Sequence, residues 1–236
     1  MEVAEIDGIK YAIYETLAGY KVQVPYEAVM GVTRDKTTGK IDWIRLWYYW
    51  VGNQLVPADR GRAGRPDRGN FSQEIIRQND IYAHLHFENP GAIPQDEGFY
   101  LNRAETARRR YAQLGSTPLG KGEAFPFPEY HLIAHTSLSS KKTNVYDWFE
   151  LDGLKDPMGA AIEFGCGMKR ERFINQDFGV GEYENGRPRH LSQCRAGYHL
   201  APDARGFIEI KALHLKNSLQ LFTVINAHFS HFLIEE

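Results

Sequence analysis

Residues 41–50 read Ile-Asp-Trp-Ile-Arg-Leu-Trp-Tyr-Tyr-Trp, and the fold turns on how this stretch is placed. Trp43, Ile44, Leu46, Trp47, Tyr48, Tyr49 and Trp50 leave neither face of a strand polar. Aromatic residues favour a pleated surface, and apolar side chains on both faces put the strand in the middle of a sheet. One face should meet the core and the other should lie under a further element. Upstream, Tyr20, Val22, Val24 and Tyr26 alternate with Lys21 and Gln23 at the period of a half-buried strand. With the turn residues Asp35 to Gly39 between them, the two stretches are expected to form a hairpin.

Downstream, Gly52 to Asn70 has no apolar period and carries Arg60, Arg62, Arg65 and Arg68, the composition of a long exposed loop. Ile81, Ala83, Leu85 and Phe87 alternate with Tyr82, His84, His86 and Glu88, which predicts another strand. Asn102 with Glu105 resembles a capping box before the helix formers of Ala104 to Leu114, and Gly115 ends that short basic helix. Further strands are predicted at Tyr130 to Leu138, Val145 to Leu151, Ala160 to Met168, His190 to Leu200 and Phe207 to Leu215, as an antiparallel meander. Last, Leu221, Phe222, Ile225, Phe229, Phe232 and Leu233 recur at helical spacing behind Asn217, with Gln220 three residues on. That is an amphipathic helix, expected to be capped by Asn217 and to lie across the sheet.

The pattern is α+β: antiparallel sheet, a short middle helix, and a C-terminal amphipathic helix packed on the sheet. We expect one domain over residues 1–236, with two strand-rich halves meeting near 116–128. Thirteen Tyr, thirteen Phe and four Trp suit sheet faces and binding surfaces. A net charge of -2 removes the general attraction for nucleic acid, and the basic runs at Arg60 to Arg68 and Arg108 to Arg110 are diluted by Asp59, Asp67 and Glu105. There is no apolar run of about eighteen residues to span a membrane. Met1 to Gly8 shows no signal peptide as written, which leaves a lipid anchor on a longer precursor open.

Alternation places Cys166 beside Ile162 and Phe164, and Cys194 beside Ala196, Tyr198 and Leu200, so both thiols point to an apolar side. If their strands are neighbours, a Cys166–Cys194 bridge is expected, contributing about 3 to 4 kcal/mol in the chain-entropy model. Two separately buried free thiols are the alternative. A bridge would indicate an oxidising compartment, whereas free thiols would suit the cytoplasm.

A cysteine ending one strand, a polar glycine-rich hairpin, Cys194-Arg-Ala-Gly-Tyr, then Gly206-Phe-Ile-Glu-Ile-Lys-Ala-Leu and the closing helix make up about the last 75 residues. Together with the strand Tyr20-Lys-Val-Gln-Val-Pro-Tyr-Glu, this portion resembles periplasmic immunity proteins encoded beside type VI secretion effectors, particularly those guarding against antibacterial phospholipases. The resemblance implies a protein without catalysis of its own that binds a toxin, in that family's terms a phospholipase or lipase, and blocks its substrate access in the periplasm. It transfers no interface residues. The arginines Arg60, Arg62, Arg65 and Arg68 are the candidate partner-binding residues, because arginine and aromatic anchors dominate interface energetics.

Catalytic readings find little support. No G-x-S-x-G elbow, Walker A, G-x-G-x-x-G, H-E-x-x-H or EF-hand loop occurs. His84, His86 and Glu88 on one strand face could share a metal ion, but a period-2 polar row is also the solvated face of any antiparallel strand. His228 with His231, and His131 with His135, read as packing or surface histidines. No cofactor, catalytic residue or metal is therefore expected, and an uncharacterised hydrolase, with a metal-dependent one included, is the runner-up to partner binding.

Overall fold

The computed structural model describes residues 2–58, 79–92, 123–124, 127–135, 148–166, 183–184, 187–188 and 193–234. Its strands are β1 (Glu2–Ile6), β2 (Ile9–Glu15), β3 (Lys21–Pro25), β4 (Val29–Arg34), β5 (Ile41–Val51), β6 (Gln54–Pro57), β7 (Asp80–Phe87) and β8 (Glu123–Ala124). There follow β9 (Leu132–His135), β10 (Trp148–Lys155), β11 (Ala161–Cys166), β12 (Tyr183–Glu184), β13 (Arg187–Pro188), β14 (Gln193–Ala201), β15 (Ala204–Lys211) and β16 (Leu233–Ile234). The helix α1 spans Ser218–Phe229.

A large sheet runs in the order β4-β5-β7-β15-β14-β11-β10-β9-β8, with β6 also paired to β5, and a small one runs β1-β2-β3-β16. Among the described residues every strand-to-strand ladder is antiparallel, and β5 is indeed central, flanked by β4 and β6 on one side and β7 on the other. The meander is present as β8 to β11 followed by β14 and β15, with β12 and β13 forming a separate ribbon. The class is α+β, with the C-terminal helix packed on the sheet. The expected middle helix at 104–114 lies outside the described residues.

The expected hairpin has a different first strand. β5 turns back on β4, while β3 belongs to the small sheet, between β2 and β16. A 3-10 turn at Tyr26–Ala28 separates β3 from β4 and carries the chain from one sheet to the other. The Asp35 to Gly39 turn does close the hairpin: Asp35 Oδ1 accepts from the Thr37 and Thr38 amides, and Gly39 takes φ +70°. These bonds to the charged form hold the Asp35 carboxyl below its usual pKa. β4 escapes a pattern search because Val29-Met-Gly-Val-Thr-Arg does not alternate.

One core joins both sheets and the helix. Val22, Val24, Ala12 and Tyr14 from the small sheet meet Ile44, Leu46, Tyr48 and Trp50 of β5, with Phe164, Tyr198 and Ile208 from the later strands. Along α1, Leu221, Phe222, Ile225 and Phe229 are buried, as their spacing requires. Phe222 meets Phe164 edge-on at 5.1 Å, and Phe229 meets Tyr198 edge-on at 5.7 Å. The Tyr198 hydroxyl donates to Asn226 Oδ1 at 2.9 Å, and Asn226 Nδ2 donates to the Lys155 carbonyl at 2.7 Å. Both polar tips on this buried face thus have partners.

Two details of the C-terminal element differ from expectation. Asn217 makes no side-chain capping bond, because a 3-10 turn over Ala212–Asn217 feeds straight into α1. Phe232 and Leu233 lie beyond the helix, and Leu233 pairs with Val22 in the small sheet. His131 precedes β9 in a left-handed conformation, so it does not share a strand with His135.

Cys166 and Cys194 stand directly opposite each other on β11 and β14, with Cα atoms 4.3 Å apart, and are bridged. Gly206 on β15 has a different demand: a Cβ there would stand 1.7 Å from the His84 carbonyl oxygen, so only glycine permits β15 to lie this close to β7.

The unreduced protein should show no alkylatable thiol by mass spectrometry, and the double substitution Cys166→Ser, Cys194→Ser should lower unfolding free energy by about 3 to 4 kcal/mol. Phe222→Ala should lower it by about 3 to 5 kcal/mol in denaturant titrations, since the ring is fully buried. An unchanged midpoint would mean that α1 does not cover the sheet.

Candidate protein-binding face

Alternation gives the large sheet two faces, and the one turned away from the core carries a set of chemically mixed rows. Strand register aligns Arg45 of β5, His84 of β7, Phe207 of β15 and Gly197 of β14. The adjacent row is Trp47, Tyr82, Glu209, Arg195 and Gly165, the last on β11. Trp43 opposes His86 on the other side.

Within these rows neighbouring side chains hold one another in place. Trp47 stacks on Tyr82 at 5.7 Å and donates from Nε1 to Asp80 Oδ1 at 2.9 Å. Arg45 lies over the Tyr82 ring at 5.1 Å, and His84 stacks on Phe207 at 4.3 Å. Arg195 covers Phe207 at 4.6 Å while Nε and Nη2 both donate to Glu209 Oε1 at 2.7 Å. Such charge-assisted, stacked contacts fix long side chains before any partner arrives, so less freedom is lost on binding. The exposed side of this face is at Arg195, whose side chain is 65% accessible while that of Glu209 is 11%. Trp47 and Tyr49, at the other end, pack with Ala58, Met30 and Val51 into a second apolar cluster.

Burial pushes the His84 imidazole down to a pKa of about 4, helped by the Arg45 guanidinium and opposed by the Glu209 carboxylate 3.7 Å away. His86 is lowered for the same reason, burial first and then Arg205. On the core side His228, edge-on to Tyr48 with Nε2 3.2 Å from its hydroxyl, is pushed down to about 4 by burial.

His84 and His86 do share the outer face, yet their row is not assembled as a ligand set. His84 faces Phe207 and Glu209, and Glu88 accepts from Arg205 Nε at 2.9 Å. Among the described residues no three His, Cys, Asp or Glu side chains converge as metal ligands. The Asp156–His199 pair superficially suggests a catalytic dyad, with Oδ2 2.7 Å from Nδ1. Asp156 also accepts from the His199, Met158 and Ala160 amides, so it ties the β10–β11 turn to β14. The four loop arginines Arg60, Arg62, Arg65 and Arg68 lie outside the described residues.

Sequence reasoning did not assign Trp43, Arg45, Phe207, Glu209 or Arg195 to a binding face. Each is an outward position of a strand, but β7 meets β15 across more than a hundred residues, and period alone does not pair distant strands.

No family model matches the chain, and no curated protein matches it in sequence. In three dimensions it is similar to Smlt3025, described as an immunity protein of the Stenotrophomonas maltophilia type IV secretion system, with a TM-score of 0.57. The likeness covers 100% of each chain at 11% sequence identity. The two share a fold. The system named for that protein is type IV, whereas the sequence resemblance drawn above is to type VI immunity proteins.

With folded-state pKa values near 4 against 6.5 for a free imidazole, the unfolded chain takes up protons before His84 and His228 do in the folded one. Their contribution to stability is complete above about pH 6.5 and is lost as pH falls toward 4. The denaturation midpoint should therefore fall between pH 7 and pH 5, and His84→Gln combined with His228→Gln should flatten that fall. An equally steep fall in the double variant would locate the pH dependence elsewhere.

Proposed function

We propose that this chain is an immunity protein, which binds an antibacterial effector delivered by a secretion system and neutralises it without catalysis of its own. The observation that carries this reading is the full-length likeness in fold to a secretion-system immunity protein. The outer sheet face supports it, because ordered aromatic and arginine side chains with a polar surround are what an interface centre requires. The chain works as one α+β domain over 1–236, both of whose halves supply strands to the large sheet. The cross-strand disulfide suits an oxidising compartment, and we place the protein in the periplasm. Among the described residues no helix is long and apolar enough to cross a membrane.

The effector class follows only from the resemblance of the last 75 residues to phospholipase-guarding immunity proteins. On that basis the target is a lipase, held with its active site blocked. Arg60, Arg62, Arg65 and Arg68 are the proposed partner-binding arginines, whose charge would steer encounter more than it sets the final affinity.

The test is reconstitution with the effector encoded beside this chain's gene. The purified protein should abolish the effector's activity at near-equimolar ratio and bind with a nanomolar Kd or better, about -12 kcal/mol or stronger. Hydrolysis of phospholipid by the effector alone checks the lipase assignment; inhibition of an effector with another activity would remove that assignment and keep immunity. Arg60→Ala with Arg62→Ala and Arg65→Ala should slow association and weaken its salt dependence. A hydrolase activity of the isolated chain that disappears with His199→Ala would overturn the binding reading.

A further inference from the structure

A strand at the end of a sheet keeps a row of N–H and C=O groups without ladder partners, which only another extended segment can pair in register. β1 ends the small sheet and pairs with β2 alone, and among the described residues no backbone group of Glu2–Ile6 bonds outside that ladder. The large apolar side chains that stand exposed among the described residues gather around this edge. Val3, Ile6 and Ile9 are on the β1–β2 hairpin, and Tyr26 follows β3, the next strand. Scattered apolar residues on a surface need no explanation, but a cluster does. By contrast β4, which ends the large sheet, keeps Val29, Met30 and Val32 partly covered.

On its core side the small sheet stops one strand short. Register sets Val24, Ala12 and Val3 in one row across β3, β2 and β1; the first two are fully buried, whereas Val3 is 50% exposed. A further strand would flank Val3 as β1 and β3 flank Ala12. The hairpin presents this edge in a fixed shape, because Asp7 and Gly8 both take positive φ in a two-residue turn whose twist matches the strands. Charge selects among strands. β1 carries Glu2 and Glu5 and no cation. A second copy paired along the edge would therefore set carboxylates on both sides of the seam, while a strand bearing lysine or arginine complements it.

We propose that β1 receives an extended segment of the bound protein as a fifth strand of the small sheet, antiparallel to β1. The segment sets an apolar residue beside Val3 and lysine or arginine opposite Glu2 and Glu5; its backbone supplies the ladder and its side chains the selectivity. This rests on the protein-binding reading above and names the conformation and charge of the segment that is bound.

The pentapeptide Nα-acetyl-Val-Lys-Val-Val-Lys-amide is a probe that needs no effector: laid antiparallel, it sets its lysines opposite Glu5 and Glu2. At millimolar concentration and low ionic strength it should shift the amide resonances of Glu2 to Ile6 and at least halve the solvent exchange of the β1 amides that face away from β2. The same peptide with N-methylated backbone amides should do neither, and the peptide with glutamate in place of lysine should bind more weakly. In the variant Glu2→Lys, Glu5→Lys, whose changes are on the surface, this order should reverse in favour of the glutamate peptide. No localised shift, equal shifts with the N-methylated peptide, or an order that the variant does not reverse would each overturn the added strand. A protein that sediments as a dimer with its β1 amides already protected would give the edge to a second copy and overturn it equally. Effector neutralisation is read separately, so failure of the added strand and failure of the immunity reading are distinguishable.

Discussion

The pairing of β7 with β15 is the contact on which the rest depends. It joins residues 80–87 to residues 204–211, the two stretches that connect the early hairpin of the large sheet to the late meander. The approach is close enough that Gly206 tolerates no Cβ against the His84 carbonyl. Because the contact is so distant in sequence, closing it has a large entropic cost, which only the burial of the flanking rows offsets. On one side those rows are Ala83, Leu85, Ile208 and Ile210, all in the core; on the other they bring His84 against Phe207 and Tyr82 beside Glu209.

The same pairing therefore makes both the interior and the surface. Toward the core, α1 closes the sheet with Phe222 and Phe229, and Asn226 satisfies the Tyr198 hydroxyl that would otherwise be stranded there. Away from the core the described side chains order one another through stacking and ion pairs. The disulfide fixes β11 to β14 at the edge of this arrangement, so the strands that carry Gly165 and Arg195 cannot slip in register.

A surface built this way is preorganised but not filled. Arg195 is held by Glu209 and Phe207 yet remains accessible, and an open floor at Gly165 beside it interrupts an otherwise crowded face. Rigid aromatic and arginine groups around a concavity are the features that let a modest area bind tightly.

The sequence alone determined the elements whose signal is local. The aromatic run at 41–50, the alternation at 81–87, the apolar stripe of 221–229 and the shared apolar side of Cys166 and Cys194 were all legible, because side-chain period reports which face is buried. Partner choice was not: β3 has as good a strand pattern as β4 has a poor one, yet β4 forms the hairpin with β5 while β3 joins β2 and β16. Nor was the outer face, since Arg45, His84 and Phe207 are ordinary outward residues until register sets them side by side. Period fixes the face of a residue within its own strand, but which strands become neighbours is decided by hydrogen bonding and burial between segments far apart in the chain, and that only the tertiary structure supplies.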